Sequence, residues 1–151
     1  MEDYLQRVIF YEKRAFTRAQ FKQFMFAQSE PYAEMIELIR YLKAQYELKI
    51  AIVSNEAYEL NAYRIKKFKL RDFVDFFVSS CFVHLRKPDT AIFQLALDIA
   101  QTPVDQVLYI DNEAMFITVA KTRGIKGIHH TDYQSTCEKL AQFGLKTKEN
   151  V

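Results

Sequence analysis

Glycine and proline are scarce, three of each in 151 residues, and tryptophan is absent. So few turn-formers leave no room for a disordered linker, and no internal repeat is visible. Cysteine is rarer still, with only Cys81 and Cys137. Their separation matches no metal-ligand spacing, so two reduced thiols in a cytoplasmic protein are expected. Nor does either sign of charge dominate: 21 basic against 19 acidic residues leave +2. That balance makes no electrostatic case for nucleic acid or for an anionic membrane as a partner. No apolar run is long enough to span a bilayer. The start, Met1-Glu2-Asp3-Tyr4, lacks the basic-then-apolar design of a secretory signal.

What is present is apolar residues, 50% of the chain, enough for one domain with a real core. Ile50-Ala51-Ile52-Val53 is an unbroken apolar run between helical patterns, and it leads into Ser54 and Asn55. Such a run reads as a strand, Lys49 to Val53, buried on both faces, with Ser54 and Asn55 just past its carboxyl end. Phe76 to Val78, Val107 to Ile110 and Lys126 to His129 read as three more strands. Helices are expected between them, at about Pro31 to Gln45, Glu56 to Lys67, Thr90 to Gln101, after Asp111-Asn112-Glu113 as far as Arg123 before Gly124, and from Asp132 to Phe143 before Gly144. Strands alternating with helices predict an α/β fold with a Rossmann-like parallel sheet and right-handed crossovers. Tyr4 to Ala27 does not fit that alternation. It is rich in aromatics, and Thr17 is a candidate N-cap for a helix from Arg18 to Ala27. It reads as a helical hairpin appended in front.

Three clusters fall at or near strand ends, where open α/β sheets bind ligands. Ser54 and Asn55 follow the first strand. Lys87 opens a helix 32 positions after Asn55 (87 minus 55), and Asp111-Asn112-Glu113 begins 24 positions after Lys87 (111 minus 87). A hydroxyl, an ammonium and carboxylates at one edge suit phosphate and metal. Taken singly, each has a plain reading: Ser54, Asn55, Asp111 and Asn112 as helix caps, Lys87 as a surface lysine at a helix start. The order and spacing of all three are more specific. The basic run Arg64 to Arg71 reads as a solvated helix face, and His129 and His130, without a third ligand in reach, argue against zinc. A receiver-type signalling domain also gathers Asp, Ser or Thr, and Lys, but places the Asp first; here it comes last.

These clusters carry a resemblance to the haloacid dehalogenase-like (HAD) hydrolase superfamily. Ile50 to Asn55 resembles its second motif, Lys87-Pro88-Asp89 with Ile92-Phe93 its third, and Val107 to Glu113 its fourth. The resemblance implies a Rossmann-like core over residues 31–151 with a helical cap remnant over residues 1–30. It implies magnesium-dependent hydrolysis of phosphate monoesters, or dehalogenation, of a small phosphorylated or carboxylate metabolite. Lys87 and Asp111 would be catalytic, Ser54 and Asn55 would bind substrate, and Asp111 and Asn112 would sit at Mg2+. Two departures stand out. The family's opening strand ends in Asp-x-Asp, whose first Asp is the nucleophile, and no Asp-x-Asp occurs in the chain. Asn112 stands where the family's metal-binding Asp is usual, and an amide is the weaker magnesium ligand. With its first core strand missing, the sheet is expected to close on itself, to be filled by another chain, or to belong to a fragment of a longer product. Self-association through unpaired strand edges follows. The resemblance therefore implies a hydrolase domain that is truncated and inactive alone, or else a non-catalytic anion-binding or protein-interaction module.

Overall fold

The computed structural model describes residues 5–147. Asp3 and Tyr4 lie outside that span. Leu5–Ile9 forms one π-type turn, closed by the Phe10 N–H on the Leu5 carbonyl at 2.7 Å. The helix expected to run on from there does not form. The Gln6 amide donates to the Phe10 carbonyl and Arg14 Nε to the Ile9 carbonyl, so side chains take acceptors that a continuing helix needs. Helix α1, Arg18–Ala27, begins where expected: Thr17 accepts from the Gln20 N–H and Gln20 Oε1 accepts from the Thr17 N–H, a full capping box. The appended hairpin is thus one helix and an irregular arm.

The alternation that follows is close to expectation. Helix α2 is Ala33–Tyr46, β1 Ala51–Ser54, α3 Tyr58–Lys67, β2 Phe76–Ser79 and α4, a single turn, Ser80–Val83. Helix α5 is Thr90–Ala100, β3 Leu108–Asp111, α6 Ala114–Lys121, β4 Lys126–His129 and α7 Tyr133–Gln142. Pro31 stands before α2, whose N-cap is Tyr32. Gly124 and Gly144 take left-handed backbone, φ 79° and 80°, just beyond α6 and α7.

Two readings of β1 need correction. Ser54 is the last residue of the strand, not a residue past it, and the strand is not buried on both faces: Ala51 is exposed and Ile52 to Ser54 are half-buried. The reason is the pairing. Strand β1 runs parallel to β2 only, Ala51 opposite Phe76 and Ser54 opposite Ser79. Strand β3 runs parallel to β4 only, Leu108 opposite Lys126 and Asp111 opposite His129. The strands form two separate pairs, and among the described residues no backbone hydrogen bond joins β1 to β3. Closure of one strand on the other is therefore not how this chain arranges itself.

Two apolar clusters form the core, and the second of them joins the strand pairs. One gathers Leu38 and Leu42 of α2, Ile128 of β4, and Cys137 and Leu140 of α7, with Leu108 and Ile110 against them. The other gathers Val78, Ile92, Phe93, Ala120 and Ile125, with Val53, Val107 and Tyr109 against them. Alternate residues of β3 thus feed opposite clusters, as a pleated strand requires. The second cluster draws on both strand pairs, so the α5 and α6 layer spans them. Helix α1 buries no residue; it is tied to α3 through Phe26 stacked on Tyr63, centroids 4.5 Å apart. Neither cysteine is in a disulfide. Among the described residues no helix is long and apolar enough to cross a membrane.

Candidate active site

The site is built at the carboxyl ends of β1 and β3. Asn55 leaves β1 and its side chain turns to the loop before α5. Its Nδ2 donates to the Lys87 carbonyl and its Oδ1 accepts from the Lys87 N–H, each at 2.8 Å. Ser54, beside it, donates its hydroxyl to Ser79 Oγ at 3.2 Å. The next turn is tied as well: the Glu56 N–H donates to Ser80 Oγ at 3.0 Å, which delays the start of α3 to Tyr58. Asp89 caps α5 by accepting from the Ala91 N–H at 2.9 Å, and so fixes where the Lys87 loop ends.

From that loop the Lys87 side chain reaches β3. Its Nζ lies 2.6 Å from Asp111 Oδ2 and 3.0 Å from the Tyr109 hydroxyl, and both acidic and basic side chains are 9% exposed. The Tyr109 hydroxyl donates to the same Asp111 Oδ2. Asp111 Oδ1 accepts from the Glu113 N–H at 2.9 Å. The Phe116 ring covers the ammonium, its centroid 4.7 Å away. Burial pushes the Asp111 carboxyl pKa up, but the hydrogen bonds from Lys87, Tyr109 and the Glu113 amide outweigh it and hold the carboxyl below its ordinary value. Burial raises the Tyr109 phenol, and the bond to the Asp111 carboxylate and its charge raise it further. At neutral pH Asp111 is therefore a carboxylate and Tyr109 a neutral phenol.

The structure brings Asn55, Lys87 and Asp111 together, with Ser54 adjoining. Asn112 stands apart. It is exposed, donates to Glu113 Oε1 at 3.3 Å, and has its carbonyl on His129 Nε2 at 3.0 Å. Tyr109 was not singled out from the sequence. Its signal was there: it stands two residues before Asp111 on a strand, which puts both on one face. Ser79 and Ser80 were missed because nothing local marks a partner 25 or 24 residues away.

These residues do not fit a magnesium ion. Magnesium wants carboxylate oxygens free to coordinate. Asp111 Oδ2 is filled by the Lys87 ammonium and the Tyr109 hydroxyl, which leaves one lone pair on Oδ1, and Asn112 supplies only an amide. Among the described residues no three His, Cys, Asp or Glu side chains group as a metal site.

The profile of the haloacid dehalogenase-like hydrolases matches residues 1–129. The chain belongs to that family. A sesquiterpene phosphatase from Aspergillus oryzae is 27% identical over 113 residues, which are 75% of this chain and 57% of that protein. The chain thus spans little more than half the length of this relative. A predicted HAD-like hydrolase from Porphyromonas gingivalis has the same fold, with TM-score 0.77 and 18% identity over 94% of this chain and 72% of that one. A dehalogenase with an intermediate complex aligns at TM-score 0.58 and 26% identity, over 64% of this chain and 42% of that one. A HAD family enzyme from Bacteroides thetaiotaomicron, a mutant in complex with magnesium and inorganic phosphate, aligns at TM-score 0.69 and 17% identity, over 89% of this chain and 72% of that one.

Proposed function

We propose that this chain is the oxyanion-binding part of a phosphatase-type hydrolase and has no turnover alone. The observation that carries this reading is the Lys87 ammonium, nine-tenths buried and aimed at the β3 edge with Asp111 and Tyr109 as its partners. A lysine has three N–H donors, and those two contacts use two. The third suits a phosphate or carboxylate oxygen, with nearby backbone N–H groups as further donors, and the Ser54 hydroxyl joins them by turning away from Ser79 Oγ. In this role Lys87 neutralises charge on the bound group and Asp111 holds Lys87 in place. Asp111 serves as the anchor of Lys87, its Oδ2 taking both the ammonium and the Tyr109 hydroxyl. In the family the attacking carboxylate of covalent phosphoryl transfer is the first Asp of the Asp-x-Asp strand. No Asp-x-Asp supplies one in these 151 residues. The ligand is a small phosphorylated metabolite, in line with the phosphatase relative and the phosphate-bound neighbour. Residues 1–30 act as the remainder of a cap over a core of residues 31–151, in a cytoplasmic protein.

Two measurements test this together. Calorimetry with inorganic phosphate is expected to give heat that Lys87→Ala abolishes. Hydrolysis of p-nitrophenyl phosphate with magnesium is expected to stay at background. Magnesium-dependent turnover that vanishes in Lys87→Ala would overturn the inactivity.

Among the described residues β1 and β3 each keep one edge unpaired, which favours a second reading, a protein-interaction module that self-associates through those edges. Sedimentation over a concentration series distinguishes it. A monomer at every concentration, beside phosphate heat, leaves only the first reading standing.

A further inference from the structure

We propose that Asn55 is a positioning residue for Lys87 and does not itself contact the bound group. The inference rests on the oxyanion reading of Lys87 and adds what sets its place. An exposed asparagine at a strand end would offer its amide to solvent or ligand. Here the amide is spent on main chain. Its Oδ1 accepts from the Lys87 N–H and its Nδ2 donates to the Lys87 carbonyl, both at 2.8 Å. Those are the only two backbone polar groups that residue 87 has.

The clamp matters because of what Lys87 spans. Its main chain is held by a residue at the end of β1. Its ammonium is held by Tyr109 and Asp111 on β3. Between those strands the described residues provide no ladder. Lys87 is thus fixed at both ends across an interval that the sheet leaves open. A flexible four-carbon stem has many rotamers. Only a fixed starting point makes the placement of its ammonium definite. Asn55 supplies that point from the strand end, and Asp89 supplies the second stop where α5 begins. Asparagine suits the task where serine or aspartate does not, since it carries an acceptor and a donor on one planar group.

The test uses nuclear magnetic resonance on the whole 151-residue chain without ligand. The Lys87 amide is expected to be protected from hydrogen exchange in the wild type. In Asn55→Ala it should exchange roughly tenfold faster, the loss of one hydrogen bond. The Lys87 ε-methylene shifts should move as well, because the ammonium no longer settles between Tyr109 and Asp111. In Asn55→Asp the acceptor remains and the donor is lost. Amide protection should persist while the ε-methylene shifts still move, so this variant decides the matter if the alanine variant does not fold. Phosphate affinity should drop on the order of tenfold in Asn55→Ala, as misplacement of a binding group predicts. A wild-type Lys87 amide that exchanges like an exposed one overturns the proposal, and so do ε-methylene shifts unchanged in the variants. Should phosphate give no heat with the wild type, the oxyanion reading fails. The exchange and shift measurements then still decide the role of Asn55.

Discussion

Replacing Lys87 with methionine isolates the ion pair at the site. Methionine keeps most of the stem and deletes the charge. The Nζ to Oδ2 distance is 2.6 Å and each side chain is 9% exposed, so this pair lies well inside the protein surface. Exposed pairs are worth about 0–1 kcal/mol, whereas removing one partner of a buried pair costs about 3–5 kcal/mol. Two donors remain on Asp111 after the change, the Tyr109 hydroxyl and the Glu113 N–H. They place the expected loss at the lower end, about 3 kcal/mol. For a chain of this size that is a fall in Tm of roughly 6–12 °C. Urea unfolding with an unchanged m-value is the assay. A triple variant, Lys87→Met with Tyr109→Phe and Asp111→Leu, removes the stranded charge and should be more stable than Lys87→Met alone. The acid arm gives a further check. The folded pKa of Asp111 is lowered from 3.8, so its contribution is present above that value and lost as pH falls through the folded pKa. Without Lys87 the carboxyl pKa rises, and the gap between variant and wild type should narrow on acidification. A single-variant loss under about 1 kcal/mol, with a triple variant as unstable as the sum of its parts, would refute the reasoning.

Three further outcomes follow from other contacts. In Gly127→Ala the new Cβ meets Ile117 Cγ2 at 2.7 Å, so the α6–β4 packing must shift, and urea unfolding should show a loss of about 1–3 kcal/mol. Asp75 accepts from Lys43 Nζ at 2.5 Å and from the Ile50 N–H at 2.7 Å, and those bonds lower its pKa. Its side chain is 41% exposed, so solvent screening limits Asp75→Ala to about 1 kcal/mol at neutral pH, a difference that fades below pH 3.8 as the wild-type carboxylate protonates. For Tyr109 the folded pKa is raised above 10, so its stabilisation is whole below pH 10 and lost as pH climbs through the folded value. Alkaline unfolding of Tyr109→Phe should lack that component of the falling arm.

The sequence was most informative where a choice is local. Lys126–His129 is the strand expected, and Thr17 caps α1 with Gln20 as its reciprocal partner. Apolar runs and capping side chains act over three or four residues, and they mark these elements well. The arm before Thr17 failed because its aromatics and apolar spacing said nothing of Gln6 and Arg14 taking the carbonyls. At the site, Lys87 and Asp111 were legible as residue types in order. The pairing of Lys87 with Tyr109 and Asp111, and the grip of Asn55 on the Lys87 main chain, join positions 22 to 32 residues apart. Only the fold brings those together. The burial of β1 was misjudged for the same reason: an apolar run predicts a strand, but not the number of neighbours it has.

The half-burial of β1 and the burial of Lys87 are two sides of one arrangement. A central parallel strand is covered by a neighbour at each edge and by helices on its faces. Among the described residues strand β1 has a neighbour at one edge only, and Ile52 and Val53 are half-buried as a result. What keeps the two strand pairs in register is therefore not a ladder. On one face it is the α5 and α6 layer, where Phe93 of α5 meets Tyr109 of β3 edge-on at 5.3 Å. At the carboxyl edge it is Lys87, held by Asn55 on one side and by Asp111 on the other. Each brace depends on the other. Phe93 backs the Tyr109 ring whose hydroxyl holds the ammonium, and the ammonium draws the loop before α5 toward β3. A truncation at Phe93 should therefore loosen Lys87 without touching it, which ties the packing of this core directly to the geometry of the site.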